Sequence, residues 1–466
     1  LDLAAAENQP CSEKEGLFVQ SKRLAVALTV VLPILTVAAL MTATRAAAQQ
    51  EGVLHSFNNN GQDGYFPEAG VISDVAGNLY GTTYYGGTGK CTAGIFTGCG
   101  IVFELTPKAG GGWAEKVLHN FSNNGKDGYY PAAGLVLDAA GNLYGTTSYG
   151  GTGLCSSVAP TGCGTVFELT PKAGGGWAEG VLHSFGGGAD GEIPESGLIF
   201  NPAGHLFGTT AGLGGTCAYY YVECGTVFEL TPHAGGGWTE KVLHNFSSTN
   251  RDGYGPYGSL VRDAAGNLYG GTYFGGAFGD GAVFELTPVK GGSWTEQVLY
   301  SFFYKGNFGG GPGSLILNGG NLFGTTPLGG TTYSGAVFEL TPAAAGSWNE
   351  TVLYNFDVYT TGATTNSSLI IDVAGNLYGT NQFGGAGAIV CLIFGGGFEE
   401  ASCGTVFELT PAGDGSWNQS TLHSFGTGAD GQVPYAGLIR DAAGHLYGTT
   451  SSGGAHGNGA VFEIRP

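Results

Sequence analysis

The sequence predicts an all-β fold: a seven-bladed β-propeller of four-stranded antiparallel blades, closed by the N-terminal strand completing the last blade. Three observations carry that expectation. One motif set recurs seven times, its leucine falling at Leu54, Leu118, Leu182, Leu243, Leu299, Leu353 and Leu422, 54 to 69 residues apart. Every copy reads as short strands separated by turn chemistry. A lone strand, Val53 to Phe57, precedes the first full unit, and the chain stops after the third strand of its last one.

The second copy shows the elements in order. Leu135 to Asp138 alternates and ends at the turn Ala139, Ala140, Gly141; Asn142 to Thr147 resumes as a second strand. Thr165 to Thr170 is a third, and Trp177 to Phe185 follows the glycine-rich turn at 171–176 as a fourth. The equivalent units begin near Gly70, Gly134, Gly197, Gly258, Gly313, Ser368 and Gly437. A meander of this size leaves both faces apolar, so copies pack face to face, and radial packing gives a propeller. The rival is a linear solenoid, which needs polar caps on its terminal repeats; neither end shows one. If Val53 to Phe57 joins the unit ending at Val461 to Pro466, the ring closes with no unpaired edge.

With 90 glycines among 466 residues, yet 42% hydrophobic and 12% aromatic content, the chain has ample core material, and its glycines fall at repeated turn positions. Residues 1–48 form a separate N-terminal extension and signal peptide: Lys22 and Arg23, an apolar run from Leu24 to Leu40, then Ala46, Ala47 and Ala48, with cleavage expected after Ala48. An uncleaved anchor is the alternative, but the run is short for a span and broken by Pro33. The domain proper is residues 51–466. It holds 12 Lys and Arg against 32 Asp and Glu, which disfavours nucleic acid and anionic lipid as partners. Eight of nine cysteines form close pairs in one loop type: Cys91 with Cys99, Cys155 with Cys163, Cys217 with Cys224, Cys391 with Cys403. Such pairing in an exported chain predicts four disulfides, and two thiols per loop without a nearby His pair predict no metal.

The motifs GNLYGTT, GTVFELTP and VLHSF resemble the choice-of-anchor tandem-repeat family GloVer, whose members are exported bacterial repeat proteins. The resemblance spans nearly all of residues 51–466. It implies export and an uncharacterised activity, and it brings no catalytic residues. Relatives end in one of several anchors, whereas Pro466 follows the last strand directly, so anchoring of that kind is not expected here.

Loop alternation in a meander sorts the surface into two faces. The turns DAAGN and TPKAGGGW barely change between copies and share one face; the Cys loops and DGxxP loops vary and share the other, where binding is expected. Candidate ligand-contacting rings on that face are Tyr65, Tyr129, Tyr254 and Tyr435, with Tyr219, Tyr220 and Tyr221 between Cys217 and Cys224. Asp63, Asp127, Asp190, Asp252 and Asp430 recur before Gly; they read as caps of their own turns, with a calcium-holding carboxylate ring around the channel as the alternative. His55, His119, His183, His244 and His423 give way to Tyr300 and Tyr354 in two copies, which suits a packed aromatic better than a metal ligand. One Glu per VFE strand, from Glu104 to Glu463, and the recurrent Trp113 to Trp417 read as scaffold. Glu223, Glu399, Glu400, Asp280, Asp357 and His456 are unique, but no nucleophile elbow or phosphate loop accompanies them. The expected function is non-enzymatic binding of a carbohydrate or protein, without a cofactor. Two alternatives stand beside it: a carbohydrate-active lyase or hydrolase using carboxylates at the channel mouth, and a structural cell-surface repeat protein.

Overall fold

Each blade is built outward from a spine strand of sequence Leu-Tyr-Gly-Thr-Thr or a close variant. In the second blade this is Leu143–Thr147, buried at all five residues, paired with Val136–Leu137 towards the axis and Thr165–Pro171 away from it. Its central Gly145 is dictated by the cross-strand neighbour Phe167, whose ring lies over it: a Cβ there would stand 2.6 Å from Phe167 Cζ. Trp177–Ser184 completes the blade as its outer strand.

The computed structural model describes residues 50–465 apart from 156–161, 187, 213–223, 249–250, 304–309, 386–402 and 427–428. One compact unit spans Glu51–Arg465. Within it seven four-stranded antiparallel sheets repeat the same order, inner strand to outer. Inner strands are shorter than the sequence suggests, two residues in six blades and four in the fifth, Leu315–Asn318. Beyond them lies only the axis, where the seven chains crowd together and no further strand can pair.

The seventh sheet takes its outer strand from the other end of the chain. Gln50–Ser56 pairs with Ala460–Arg465, which pairs in turn with Leu446–Thr450 and Ile439–Arg440. Phe57 N–H donates to Gly459 O at 3.0 Å, and Thr449 Oγ1 donates to Ala69 O at 2.8 Å across the same seam. The ring is thus closed and the expected architecture is the observed one.

Blades adhere through a repeated aromatic contact. The Phe ending each outer strand meets, edge to face or tilted, the Phe of the next blade's third strand: Phe57 with Phe103, Phe121 with Phe167, Phe185 with Phe228, and so round to Phe425 with Phe462, at 4.8 to 5.1 Å between centroids. Thr82 Oγ1 to Ala133 O, and its equivalents in five further blades, add an inter-blade hydrogen bond beside the axis. The fourth blade has Gly271 instead, because a Cβ there would sit 2.3 Å from Pro312 O.

Two features set the directions in which the loop and seam side chains point. The DGxxP loop pairs with the loop that carries the cysteines, as Gly64–Tyr65 does with Tyr85–Gly86, so the two variable loop types do share a face. Six of the outer strands also carry a bulge: in the second blade Val166 opposes His183 and Phe167 opposes Val181, leaving Leu182 unpaired. An extra residue flips the alternation of sides. Glu179 and His183, four apart in one strand, therefore serve opposite neighbours: Glu179 lies against His119 and Asp127 of the preceding seam, His183 against Asp190 and Glu240 of the following one.

Candidate functional site

The DGxxP loop leads from each outer strand across the variable face to the channel. Its Asp caps the loop, as Asp127 Oδ2 accepts from Ser122 N–H at 2.9 Å and Asp430 Oδ2 from Gly426 N–H at 2.8 Å. The chain then turns through a left-handed residue: Phe66, Tyr130, Ile193, Thr364 and Val433 hold φ between 57° and 60°. For bulky and β-branched side chains this conformation costs about 1–3 kcal/mol each, and backbone hydrogen bonds on both sides hold it. Tyr130 N–H donates to Cys99 O of the preceding blade at 2.9 Å, and Tyr130 O accepts from Ser148 N–H at 3.0 Å. Ile193 and Val433 use Cys163 O and Cys403 O in the same way. Each cysteine loop thus fixes the entrance loop of the next blade.

Two disulfides are seen whole, Cys91–Cys99 and Cys155–Cys163. Cys224 and Cys403 are also disulfide-bonded; their expected partners Cys217 and Cys391 lie outside the described residues.

Two residues beyond the left-handed turn, the chain reaches the channel mouth, and there the copies diverge. The seven equivalent positions are Glu68, Ala132, Glu195, Tyr257, Pro312, Asn366 and Tyr435. Six of them, all but Pro312, line one cavity of about 310 Å³ around the axis, together with Ser259, Ser314 and Ser368. A contiguous cavity of about 360 Å³ lies against Tyr257, Tyr273, Phe274, Asn366 and Tyr435. The mouth is therefore asymmetric, with an aromatic side at blades four and seven and an acidic side at blades one and three. Burial, and then the charge of Glu195, push the Glu68 carboxyl up to about 7. Ser148 Oγ donates to Glu195 Oε1 at 3.2 Å. Tyr435 is 44% exposed; desolvation of its hydroxyl, followed by the charge of Glu68, raises it to about 12. Burial and both glutamates likewise push Tyr84 upward.

Of the described rings expected on this face, only Tyr435 stands at the mouth with an open face. Tyr65 is 1% exposed: it stacks on Tyr85 and its hydroxyl sits against the Thr97 backbone. Tyr129 is buried in a stack with Tyr149, and Tyr254 is half-buried against Phe274. Tyr65 and Tyr129 are packed inside the loop layer and Tyr254 partly so, for a physical reason. Each loop-on-loop pairing supplies a second aromatic, so the ring packs instead of facing solvent. Tyr219, Tyr220, Tyr221, Glu223, Glu399 and Glu400 lie outside the described residues. Asp357 accepts from Tyr359 N–H at 3.0 Å within its own loop, and Asp280 is fully buried.

The recurrent Asp residues do not ring the channel. They lie at the outer seams, where Asp190, Asp252 and Asp430 meet His183, His244 and His423 at 3.1, 3.0 and 3.3 Å. Each His also packs edge-on against the Phe two residues later, at 4.7 Å for His55 and Phe57. On the opposite face the invariant turns form a polar network: Tyr144 Oη lies 3.0 Å from Asp138 Oδ2 and 2.8 Å from Glu168 Oε1. The sequence reading missed Glu68, Glu195, Tyr257 and Asn366 as one set. The signal was present, as a single column two residues after the left-handed turn that varies inside an otherwise constant frame.

Among the described residues no helix is long and apolar enough to cross a membrane. No curated protein matches the chain in sequence. Among many solved proteins to which it is distantly similar in fold are the following three. A candidate 6-phosphogluconolactonase from Bacteroides uniformis shares 12% identity over 77% of this chain and 87% of that one, with a TM-score of 0.46. A candidate oxidoreductase of glucose dehydrogenase type from Thermus thermophilus shares 13% identity over 90% and 100%, with a TM-score of 0.41. A protein of unknown function from Dyadobacter fermentans shares 12% over 90% and 100%, with a TM-score of 0.43. These likenesses carry no activity to this chain. The model of the Gloeobacter/Verrucomicrobia repeat matches residues 39–222 and 215–394, and the chain belongs to that repeat family.

Proposed function

We propose that this propeller is an exported, non-enzymatic binding module that takes a carbohydrate at the channel mouth of its variable face. The observation that carries the reading is the broken symmetry of one ring position. Tyr257 and Tyr435 offer flat apolar faces, while Asn366, Ser314, Glu68 and Glu195 offer hydrogen-bonding groups in the same pair of cavities. Aromatic platforms flanked by a few convergent polar groups suit a hydroxyl-rich, partly apolar ligand. Disulfides support an oxidising compartment and hence export after cleavage of the leader. A glycan array probed with the purified domain tests the reading. Binding that vanishes in Tyr257→Ala and Tyr435→Ala supports the proposal, and no glycan ligand, or a protein ligand instead, counts against it.

One observation favours a second reading, a glycoside hydrolase or lyase. Glu68, raised to about 7, would be about half protonated at neutral pH beside the charge of Glu195, the division of labour that acid catalysis of glycosidic cleavage uses. Turnover of a bound glycan that Glu68→Gln abolishes while binding survives would establish it.

A further inference from the structure

The outer seams hold a second constellation, separate from the mouth. In four of them one imidazole and two carboxylates converge from two blades: His55, Asp63 and Glu115; His183, Asp190 and Glu240; His244, Asp252 and Glu296; His423, Asp430 and Glu51. One ligand-type atom from each lies within 4.8 Å of the others. His119, Asp127 and Glu179 repeat the same residue types in a fifth seam, which opens to solvent through a cleft of about 750 Å³.

His183, His244 and His423 bond their Asp partners, but carboxylate oxygens are left over in each seam. Oε1 of Glu51, Glu115, Glu240 and Glu296 is buried with no hydrogen-bond partner, and so is Oδ1 of Asp252, a residue only 9% exposed. Two buried carboxylates on one imidazole leave an oxygen that either a proton or a bound cation satisfies, since an unpaired buried charge is costly.

The chain carries its own control. Where the loop after the outer strand lacks the Asp, at residues 302–311, the His is replaced by Tyr300, whose hydroxyl donates directly to Glu350 Oε2 at 2.7 Å. Where Tyr354 stands, the next outer strand has Gln419 in place of Glu. His and Asp therefore leave together in both Tyr copies, whereas the Glu stays as Glu350 in one and becomes Gln419 in the other. A packed aromatic alone would not require the Asp to leave with the His.

The geometry points to a divalent transition-metal site of the zinc class in each His-Asp-Glu seam, stapling neighbouring blades with three protein ligands and one water. Zinc bonds of about 2.0–2.2 Å to nitrogen and oxygen make a tetrahedral edge of roughly 3.3 Å. The His Nε2 to Asp oxygen separations are 3.4, 3.1, 3.0 and 3.3 Å in the four seams. A Glu oxygen lies within 4.8 Å of both in each of these seams. An N,O,O donor set with imidazole suits zinc over calcium, which takes six to eight oxygens.

The test titrates the chelator-treated propeller with Zn²⁺ alone, and with Co²⁺ for its visible spectrum. The expected result is at least four ions per chain, the bands of tetrahedral cobalt, and a melting temperature raised by metal. His244→Tyr, which rebuilds one seam on the pattern of Tyr300 and Glu350, should remove one ion per chain and leave the metal-free melting temperature unchanged. Absence of tetrahedral cobalt bands overturns the proposal, as does a stoichiometry that His244→Tyr leaves intact. A melting temperature that responds to pH and ignores zinc also overturns it, and assigns the seam a shared proton.

Discussion

Phe57→Ala attacks the only seam that two chain ends make. Phe57 is fully buried, 5.1 Å from the Phe103 ring and 4.7 Å from His55. Removing a fully buried Phe costs about 3–5 kcal/mol, aromatic contacts included. Phe121 is an internal reference, equally buried and with matching contacts at 5.1 Å to Phe167 and 4.8 Å to His119. If side-chain contacts alone mattered, Phe57→Ala and Phe121→Ala would be equal. They should differ in where the loss is felt. The outer edge of Ala460–Arg465 is covered only by Gln50–Ser56, which is joined to its blade by no covalent turn, whereas Trp113–Asn120 follows its partner strand through a short one. Hydrogen exchange read by mass spectrometry on both variants is the assay. In Phe57→Ala, amides of 460–465 should lose roughly 3–5 kcal/mol of protection while 101–107 keep theirs. In Phe121→Ala, protection should fall across the whole ring. Equal, uniform loss in both variants would refute the reasoning that the N-terminal strand is a separable clasp.

Other expected outcomes rest on particular contacts. Gly145→Ala places a Cβ 2.6 Å from Phe167 Cζ and should destabilise by about 1–3 kcal/mol in thermal unfolding, unlike Gly141→Ala in the exposed turn, which costs through its φ of 86° alone. Replacing Cys91 and Cys99 together by Ser opens a loop with a sequence separation of 8 and should cost about 2.5 kcal/mol, measurable by denaturant titration with and without reductant. Stability should also depend on pH in two opposite windows. Glu68 binds its proton more tightly folded, at about 7 against 4.5, so its contribution is full below about pH 4.5 and falls as pH rises towards 7, by at most about 3 kcal/mol; Glu68→Gln should flatten that decline. For Asp74, Asp138, Asp372 and Asp441, burial pulls the carboxyl upward but hydrogen bonds from the turn outweigh it. Their folded values lie below 3.8, and the stability they add is lost as pH falls beneath that value.

The scaffold was legible because each blade repeats local chemistry with a local cause. Gly145 needs no side chain under Phe167, Asp138 folds its own turn, and the short run Leu143–Thr147 between two turns names a buried strand. Closure was legible too, from the offset between the lone first strand and the three-stranded last unit. What the sequence concealed was the direction of side chains after an irregularity. The bulge at Leu182 sends Glu179 and His183 to different neighbours, so no spacing rule could bring His183 to Glu240. Tyr65 and Tyr129 were misplaced for a related reason: the two-residue pairing of loop on loop, which buries them, has no strand-like pattern to announce it. The mouth ring was hidden by the habit of reading repeats for what they share, since Glu68, Glu195, Tyr257 and Asn366 matter as a set because they differ.

If function resides where sevenfold symmetry breaks, one ring should bind one ligand. Isothermal titration of the domain with a glycan recovered from the array measures this directly. The expected result is a stoichiometry of one per chain, with affinity falling at least tenfold in Tyr257→Ala combined with Tyr435→Ala and unchanged in Lys108→Ala combined with Lys172→Ala on the opposite face. Several equivalents per chain, or binding that tolerates loss of both tyrosines, would contradict the assignment of the channel mouth as the site.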